Sequence, residues 1–274
     1  MGKFTSERII PDYYFSSTTE LALYLMHLKA YNHISILAKG KKVLDLGCGL
    51  GYGSEILAEN AESVIGVDID SDAVNTAFQS HKRENLSFLT IDEKDRDMAI
   101  FEKNSFDIVV SFQVIEHVKD DNLYLSSIKR VLKNNGEIYI TTPNRTARVL
   151  DIQHPWNHHH LREYSSGELV SLFEKYFHNI ECLGLTARKD VLKKELERVR
   201  RIAILMLPFS NKLLTDKARR VILSHIWDFS IGKKKSRKKE FSRQIIDSIY
   251  SDIFLTKMRE SEWLNLFVKA VNKT

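Results

Sequence analysis

The sequence predicts an α/β fold in which helices cover both faces of a largely parallel sheet. Short apolar runs alternate with helix-forming segments over roughly the first 150 residues, and this alternation is typical of doubly wound sheets. A glycine-rich turn directly follows the first apolar run. In such sheets, ligands bind beyond the carboxyl ends of the strands, where turns of this kind lie.

The pattern begins with an amphipathic helix over residues 20–38, in which leucine and isoleucine recur at helical spacing. The segment KGKK then ends this helix. Five apolar runs follow, with further helices between them, including one at 121–132 before an NNG turn. We predict the corresponding strands at 43–47, 63–70, 86–92, 106–114 and 137–143.

The rest of the chain has a different character. After a helix at 166–177 and a strand at 179–186, residues 187–250 are basic and helical by pattern. The run at 263–271 has the features of a last strand, which we expect to pair beside 179–186. We therefore interpret 187–250 as an insertion between the last two strands rather than as a separate domain.

The composition fits a folded protein in a reducing compartment. The 274 residues are 43% hydrophobic and 28% charged, as in ordinary globular proteins. Two cysteines, Cys48 and Cys182, are too few for a disulfide framework. No apolar run reaches the roughly 18–20 residues that a membrane-spanning helix needs, and no signal-peptide core is found. We expect a soluble, cytoplasmic protein.

The net charge of +5 is unevenly distributed along the chain. Most of the excess lies between Arg188 and Lys239, including the run KKKSRKK at 233–239. Such a run is most often a solvated loop. The alternative is contact with phosphate-bearing partners or with the anionic face of a membrane. Both interpretations stay open from the sequence, as does the oligomeric state.

Glycine and acidic residues mark the predicted ligand-binding edge of the sheet. Gly47, Gly49 and Gly51 follow Asp45 of the first strand, and glycine lets the backbone approach a ligand closely. Asp68 ends the second strand about 20 residues downstream, where a carboxylate accepts hydrogen bonds from ribose hydroxyls. A dinucleotide and S-adenosylmethionine both suit this arrangement. Asp45 favours the second, because a carboxylate close to the turn repels a pyrophosphate but not a cationic ligand that carries an ammonium group.

Four segments resemble the successive motifs of class I S-adenosylmethionine-dependent methyltransferases. They are VLDLGCGLGYGSEILA, VIGVDID, FDIVVSFQVIEHV and VLKNNGEIYITTPNR, and they occur in the family's order and spacing. The resemblance extends over roughly residues 5–185. It implies a Rossmann-like, seven-stranded doubly wound sheet, an enzymatic activity, S-adenosyl-L-methionine as the cofactor and S-adenosyl-L-homocysteine as the product.

The resemblance also gives a plan for the whole chain. We expect 1–274 to form a single methyltransferase domain, whose core binds the cofactor and whose acceptor loop follows the fifth strand. The parts of this plan are an N-terminal helical cap at 1–40, the core at 41–186 with the acceptor loop at 144–165, the basic helical insertion at 187–250 and the last-strand region at 251–274.

Individual cofactor-binding residues follow from the same resemblance. Asp68 would hold the ribose, Ile69 would pack on the adenine, and Asp92 would lie beside the adenine amino group. Phe112 and Gln113 would border the sulfonium, to which an aromatic face offers a cation–π contact. The full implied set is Asp45, Gly47, Cys48, Gly49, Gly51, Tyr52, Asp68, Ile69, Asp92, Phe112, Gln113 and His117.

The segment QHPWNHHHLREYS, residues 153–165, contains four histidines and has three interpretations. A metal site is disfavoured, because the consecutive histidines 158–160 cannot all face one centre, and we expect no metal. A catalytic role suits a loop over the ligand-binding edge, since histidine can remove a hydroxyl proton near neutral pH. In the third interpretation, an Arg162–Glu163 ion pair fixes a purely structural loop.

The same segment resembles a pattern in methyltransferases that accompany cell-surface polysaccharide biosynthesis, as does the start of the chain through His27 and Tyr31. We predict His160 as the base, although two further histidines before it leave the choice open. His117, in VIEHV, has either a functional or a scaffold role. The predicted catalytic residues are His160, His117 and Glu163, and the predicted substrate-binding residues are Asn157, Arg162 and Tyr164.

Several functions fit these features. The leading hypothesis is in-line O-methylation of a sugar or lipid-linked glycan intermediate with a histidine base, and the basic insertion favours a phosphate-bearing acceptor. The alternative is a small-molecule enzyme acting on a quinone precursor or another aromatic. A nucleic-acid acceptor is disfavoured, since SFQV stands where amino-methylating DNA enzymes carry a proline-containing motif. The intact glycine turn argues against a catalytically silent cofactor-binding protein.

Overall fold

A computed structural model describes residues 14–15, 17–92, 98–231 and 239–273 of the chain. The lysine run predicted to be a solvated loop or a contact surface, 233–239, lies outside the described residues except for Lys239. None of the helices in the described ranges is long and apolar enough to cross a membrane.

Eight strands of the described chain form one central sheet. A separate short ribbon pairs β1 (Tyr14–Phe15) with β8 (Lys239–Glu240). The strands of the central sheet are β2 (Lys42–Leu46), β3 (Ser63–Asp68), β4 (Leu86–Thr90), β5 (Phe106–Phe112), β6 (Leu132–Pro143), β7 (Phe177–Ala187), β9 (Ile253–Thr256) and β10 (Asn265–Asn272).

The order of these strands confirms the predicted doubly wound α/β fold. Across the sheet they run β4–β3–β2–β5–β6–β10–β7–β9. The strands from β4 to β6 are parallel, whereas β10 is antiparallel to both of its neighbours. The strand order reverses between β2 and β5, and in such sheets this switch point opens a crevice beyond the carboxyl ends of the strands.

Helices cover both faces of the sheet. They are α1 (Thr18–Leu37), α2 (Tyr52–Ala58), α3 (Ser71–Ser80), α4 (Asp121–Val131), α5 (Arg145–Arg148), α6 (Ser166–Phe173), α7 (Lys189–Ser210), α8 (Asp216–Ile231) and α9 (Arg243–Asp252). Val43 of β2 faces α1, and the next residue, Leu44, belongs to the opposite core with Leu125 of α4. Alternate side chains of a buried strand thus supply both cores, because strand residues point alternately to the two faces.

The structure differs from the sequence prediction at two places in the sheet. β9, only four residues long, pairs with β7 and adds an eighth strand to the predicted seven. The NNG turn lies inside β6 as a bulge: Leu132 is opposite Phe106, and Glu137 is opposite Ile108. Asn135 adopts φ 61° within this bulge, a left-handed conformation that asparagine tolerates better than most residues.

The insertion lies where the sequence predicts it, between the strands that begin at 177 and 265. β10 pairs with β7, which confirms the predicted neighbours of the last strand. The chain between them forms α7, α8, α9 and the edge strand β9. Helix α7 contacts α5, the short helix that follows β6. The insertion therefore packs beside the loop that carries the consecutive histidines.

Candidate functional site

A cleft of about 530 Å³ opens at the carboxyl ends of β2, β3 and β5. This volume lies within the range of small-molecule sites, which combine apolar walls with a few polar groups. The glycine turn, the end of β3 and the segment after β5 form its walls. The residues of the predicted site that line it are Gly47, Cys48, Gly49, Tyr52, Asp68, Ile69, Phe112, Gln113 and His117.

The glycine turn takes its shape from positive backbone angles. Gly47 has φ 79° and Gly49 has φ 53°, values that side chains of L-residues disfavour. A Cβ on Gly47 would lie 2.3 Å from Cγ2 of Val114, whereas no atom lies within 4 Å of a Cβ built on Gly49. The backbone at Gly49 is therefore open on this side, where a ligand can approach it.

Asp68 ties this turn to the end of β3. One carboxylate oxygen accepts the N–H of Gly49 at 2.9 Å, and the other accepts the N–H of Asp70 at 3.0 Å. The side chain also lines the cleft. Because a carboxylate can accept about four hydrogen bonds, Asp68 can hold the turn and a ligand hydroxyl at the same time.

Asp45 lies beneath the turn rather than in the wall of the cleft. Its fully buried carboxylate accepts hydrogen bonds from the hydroxyls of Ser54 at 2.6 Å and Tyr31 at 3.1 Å. Burial raises the pKa of Asp45 to about 6, although the two hydroxyl donors oppose the rise. Asp45 is directed to α1 and α2, and the cofactor-binding role predicted for it stays a prediction.

Aromatic side chains pack beside β5 at the cleft. The ring of Phe112 lies 4.7 Å from that of Tyr31 and 5.9 Å from that of His27, centroid to centroid. His27 lines the cleft and hydrogen-bonds the hydroxyl of Tyr52. Burial lowers the pKa of His27 to about 4, against a hydrogen bond to the backbone of Phe112 that raises it. His27 is therefore neutral at pH 7 and does not repel a cationic ligand.

Gln113 follows β5 in a strained conformation. Its φ of 58° is left-handed, which costs a non-glycine residue on the order of 1 kcal/mol or more and often marks a functional site. Its backbone N–H donates to the carbonyl oxygen of Thr141 at 2.8 Å, and its side-chain amide donates to the hydroxyl of Thr141 at 3.2 Å. These two bonds to β6 hold Gln113 in its strained conformation at the point where the chain turns along the cleft.

Glu116, His117 and His160 form a cluster beside the cleft. Each has a ligand atom within 4.8 Å of those of the other two, and the two imidazole rings meet edge to face, 5.0 Å between centroids. Glu116 is 1% exposed and accepts the hydroxyl of Thr142 at 2.9 Å. Burial raises the pKa of Glu116, while the two histidines act in the opposite direction. No local motif predicts this convergence, because His160 lies on the distant histidine loop.

A hydrogen bond at Nδ1 fixes the ring orientation of both His117 and His160. His160 Nδ1 lies 2.7 Å from Oε1 of Glu163, and His117 Nδ1 lies 3.1 Å from the carbonyl oxygen of His159. Burial alone would raise the pKa of Glu163, but the charges of Arg148 and His160 outweigh it and lower that pKa. Because a charged carboxylate and a carbonyl only accept, Nδ1 is the donor in both rings.

His160 and Glu163 lie behind the wall of the cleft, which His117 and His159 form on this side. The predicted base therefore does not face the cleft directly. Of the three consecutive histidines, His160 joins the cluster with His117. The cluster thus takes one of the three consecutive histidines and adds Glu116 and His117, a combination that the spacing of the consecutive histidines does not predict.

The predicted substrate residues support the loop instead of lining the cleft. Oδ1 of Asn157 accepts the backbone N–H of His159 at 3.0 Å. The hydroxyl of Tyr164 donates to Asp121 at 3.0 Å, and Arg162 also pairs with Asp121. The bonds of Tyr164 and Arg162 hold the loop to α4, whereas that of Asn157 lies within the loop. Contact of the three residues with the substrate stays a prediction.

The Arg162–Glu163 ion pair of the structural interpretation does not form, because the two residues have other partners. Glu163 is paired with Arg148 at 3.2 Å, whereas Arg162 pairs with Asp121. Arg162 and Glu163 instead line a smaller cavity of about 220 Å³ behind the loop, together with Arg145, His154 and Lys212.

Two predicted cofactor residues also lie outside the cleft wall. Asp92 is exposed beyond the end of β4, where its neighbour Ile91 lines the cleft. Gly51 lies deeper than the other two glycines of the motif, and a Cβ there would come within 2.7 Å of Phe88. Gly51 is therefore required for packing against β4, and the cofactor contact predicted for it stays a prediction.

A buried arginine of the insertion holds the histidine loop. Arg219 of α8 is 0% exposed, and its guanidinium donates to the carbonyl oxygens of Pro155, Asn157 and His160, the last at 3.2 Å. It also pairs with Asp216 at 2.6 Å. The sequence of α8 gives only an amphipathic pattern, so this role was not predictable from it.

Comparisons with known proteins agree with this geometry. A family model for a methyltransferase domain matches residues 37–202. A probable S-adenosylmethionine-dependent methyltransferase of Mycolicibacterium smegmatis is 30% identical over 226 residues, covering 78% of this chain and 83% of that protein. The ubiquinone biosynthesis O-methyltransferase of Glaesserella parasuis is 32% identical over 161 residues, covering 57% and 67%, respectively. The structure of an S-adenosylmethionine-dependent methyltransferase of Thermotoga maritima shares the fold, with a TM-score of 0.55 at 14% identity over 92% of both chains.

Proposed function

This chain belongs to the class I S-adenosylmethionine-dependent methyltransferases, and we propose that it methylates a hydroxyl group of a small acceptor. It is an enzyme, and its cofactor is S-adenosyl-L-methionine. The single observation that carries the choice of a hydroxyl is the cluster of Glu116, His117 and His160 at the cleft, because a hydroxyl must lose its proton when it accepts a methyl group.

The residues around the cleft fit the cofactor. Gly49 offers an open stretch of backbone, and the carboxylate of Asp68 suits ribose hydroxyls. Ile69, 63% exposed and in the cleft wall, offers apolar surface to an adenine ring. When bound, S-adenosylmethionine supplies a methyl group activated by a positive sulfur. We assign Phe112 and neutral His27 to the surroundings of that positive charge.

We assign His117 as the base that contacts the acceptor, in place of the predicted His160. His117 lines the cleft, and its Nδ1 donates to the carbonyl of His159, so the proton of the acceptor would pass to Nε2. His160 and Glu163 then act as positioning residues, since His160 packs against the His117 ring and is itself oriented by Glu163. A base of this kind typically contributes about 10²–10⁴-fold to the rate.

The cleft favours an aromatic acceptor such as a quinone precursor. Val114, Val118, Leu123 and Tyr124 line the same cleft as His117, and these side chains suit an apolar ring. The polar loop residues proposed from the sequence to contact a sugar lie elsewhere. The likeness to a ubiquinone biosynthesis O-methyltransferase supports the same acceptor class.

A sugar or lipid-linked glycan intermediate is the second candidate. The smaller cavity behind the loop favours it, because Arg145, His154, Arg162 and Lys212 line that cavity and suit an anionic group such as a phosphate. Under this alternative, the loop that resembles those of polysaccharide-associated methyltransferases would contact an acceptor that extends past the cleft.

Transfer of labelled methyl from S-adenosylmethionine into fractionated cell extract tests the proposal. We expect label in the apolar fraction, in a product whose mass and fragmentation show a methyl ether. Label in nucleotide-sugar, polysaccharide or lipid-linked glycan fractions would favour the second candidate. An N-methylated or C-methylated product would refute O-methylation. His117→Gln should slow turnover by about 100-fold or more with unchanged cofactor affinity, and His158→Asn is the control from the neighbouring loop.

A further inference from the structure

We propose that Glu116, His117 and His160 bind a divalent transition-metal cation such as Zn²⁺. Each of the three offers a ligand atom within 4.8 Å of those of the other two. Two imidazoles and one carboxylate form the donor set of one class of catalytic zinc site, in which the fourth position is left to water or substrate. Imidazole donors also favour Zn²⁺ over Mg²⁺ and Ca²⁺, which prefer oxygen ligands.

The surroundings of the two histidines support this assignment. A metal-binding histidine almost always donates its second ring N–H to a carboxylate or a backbone carbonyl, which fixes the ring. His160 has this bond to Glu163, and His117 has it to the carbonyl of His159. Because Nδ1 is engaged in both rings, the nitrogen assigned to the cation is Nε2 in each case.

The third donor, Glu116, is a buried carboxylate whose neighbours suit a cation. Its side chain accepts a hydrogen bond from Thr142, and among the described residues no lysine or arginine forms an ion pair with it. Burial of a carboxylate is unfavourable unless positive charge faces it. The two histidines supply part of that charge, and a coordinated cation would supply more. The backbone carbonyl of Glu116 also accepts the N–H of Leu161 at 2.8 Å, which fixes the histidine loop beside it.

The position of the site connects it with the reaction, and this part of the inference rests on the proposed function. His117 lines the cleft, so an open coordination position on the cation can face an acceptor hydroxyl. A cation lowers the pKa of a coordinated oxygen group. If the cation is bound, Nε2 of His117 would hold it as a ligand and the proton of the acceptor hydroxyl would pass to solvent; in its absence His117 is the base.

Binding of Zn²⁺ to the full chain tests the site without any acceptor. The chain is stripped with a chelator and titrated with Zn²⁺ in competition with a chromophoric chelator, and we expect one ion per chain. Glu163→Gln should weaken binding by about 10–100-fold, as is usual for a residue that orients a ligand. Glu116→Gln and His160→Asn should weaken it more, whereas Glu116→Asp keeps a carboxylate and should retain part of the affinity.

His158→Asn is the matched control, because it removes a histidine from the same loop but outside the cluster. Unchanged Zn²⁺ affinity in this variant supports the site. An equal loss in His158→Asn would show that the consecutive histidines bind the ion, and unchanged affinity in Glu116→Gln would show that the cluster does not hold it. Either result would overturn the inference. Calorimetric affinity for S-adenosylmethionine verifies that each variant is folded.

Failure of this inference is distinguishable from failure of the proposed function. A chain that binds Zn²⁺ at the cluster but methylates only nitrogen or carbon acceptors refutes the O-methyl assignment and leaves the site standing. A chain that methylates hydroxyl acceptors and binds no Zn²⁺ refutes the site alone.

Discussion

The two walls of the cleft are held together in different ways. On the glycine-turn side, the bond from Gly49 to Asp68 joins residues 19 positions apart. On the histidine-loop side, Arg219 reaches Pro155 across 64 positions and His160 across 59. The glycine-turn wall is formed by strands and turns that are consecutive in the chain. The histidine-loop wall forms only when the insertion is folded against it. Substitutions should therefore affect cofactor binding and acceptor chemistry separately.

The largest effect is expected from Arg219→Met, which removes the guanidinium from the loop carbonyls. Breaking a buried, charged network typically costs about 3–5 kcal/mol, and we expect a fall of that size in the free energy of unfolding. In the folded fraction, turnover should drop while affinity for S-adenosylmethionine stays unchanged. Urea denaturation and titration calorimetry measure these quantities. Arg219→Lys keeps the charge and should have a smaller effect. Loss of cofactor affinity in either variant would contradict the expectation that the histidine-loop wall affects acceptor chemistry but not cofactor binding.

Asp45→Asn should act on the glycine-turn wall in a pH-dependent way. Burial raises the pKa of Asp45 from 3.8 to about 6, so ionisation of this acid opposes folding. The penalty is absent below pH 3.8, grows between 3.8 and 6 and is complete above 6. A shift of about two units corresponds to about 3 kcal/mol. The variant, which stays neutral, should gain stability relative to the natural chain between pH 4 and 7, and a pH-independent difference in urea denaturation would contradict this.

Asp68→Ala should weaken cofactor binding by about tenfold or more, because charge-assisted bonds to the turn and to the ligand are lost. Titration calorimetry measures the affinity. Asp72→Ala, an exposed residue of the neighbouring helix α3, is the control and should bind normally. Unchanged affinity in Asp68→Ala would remove the ribose from the position proposed for it.

The smallest effect is expected from Gly49→Ala. A side chain fits there sterically, since no atom lies within 4 Å of the added Cβ, but φ is 53°. The conformation alone should cost about 1 kcal/mol of stability. Thermal and urea denaturation measure the change in stability. A loss of stability as large as that of Arg219→Met would contradict the view that the glycine turn depends less on distant parts of the chain than the histidine loop does.

The contrast between the walls also explains what could be predicted from the sequence. Gly47, Gly49 and Asp68 follow strand ends, and strand ends are recognisable from short apolar runs. All three line the cleft, and the cofactor contacts predicted for them stay predictions. Asp45 is an exception, because sequence spacing does not show whether a strand-end carboxylate points into the cleft or beneath the turn.

The histidine loop was less predictable, since its geometry depends on distant partners. Consecutive histidines argue against a metal only if they are considered alone, and the cluster instead combines His160 with Glu116 and His117. Nothing in the sequence of α8 indicates that Arg219 contacts the loop. The edge strand β9 was missed for a related reason: four residues after a helix are too few for a clear periodic pattern.

The position of β10 has a consequence for the order in which the chain folds. Residues 265–272 are made after all the other strands, yet they pair between β6 and β7. Until they emerge during synthesis, the edges of β6 and β7 that face them have no β10 to pair with, and unpaired edges invite association with other chains. The strands of the glycine-turn half, β2 to β5, do not pair with β10. This half of the cleft can therefore form during translation before the half that is proposed to hold the acceptor.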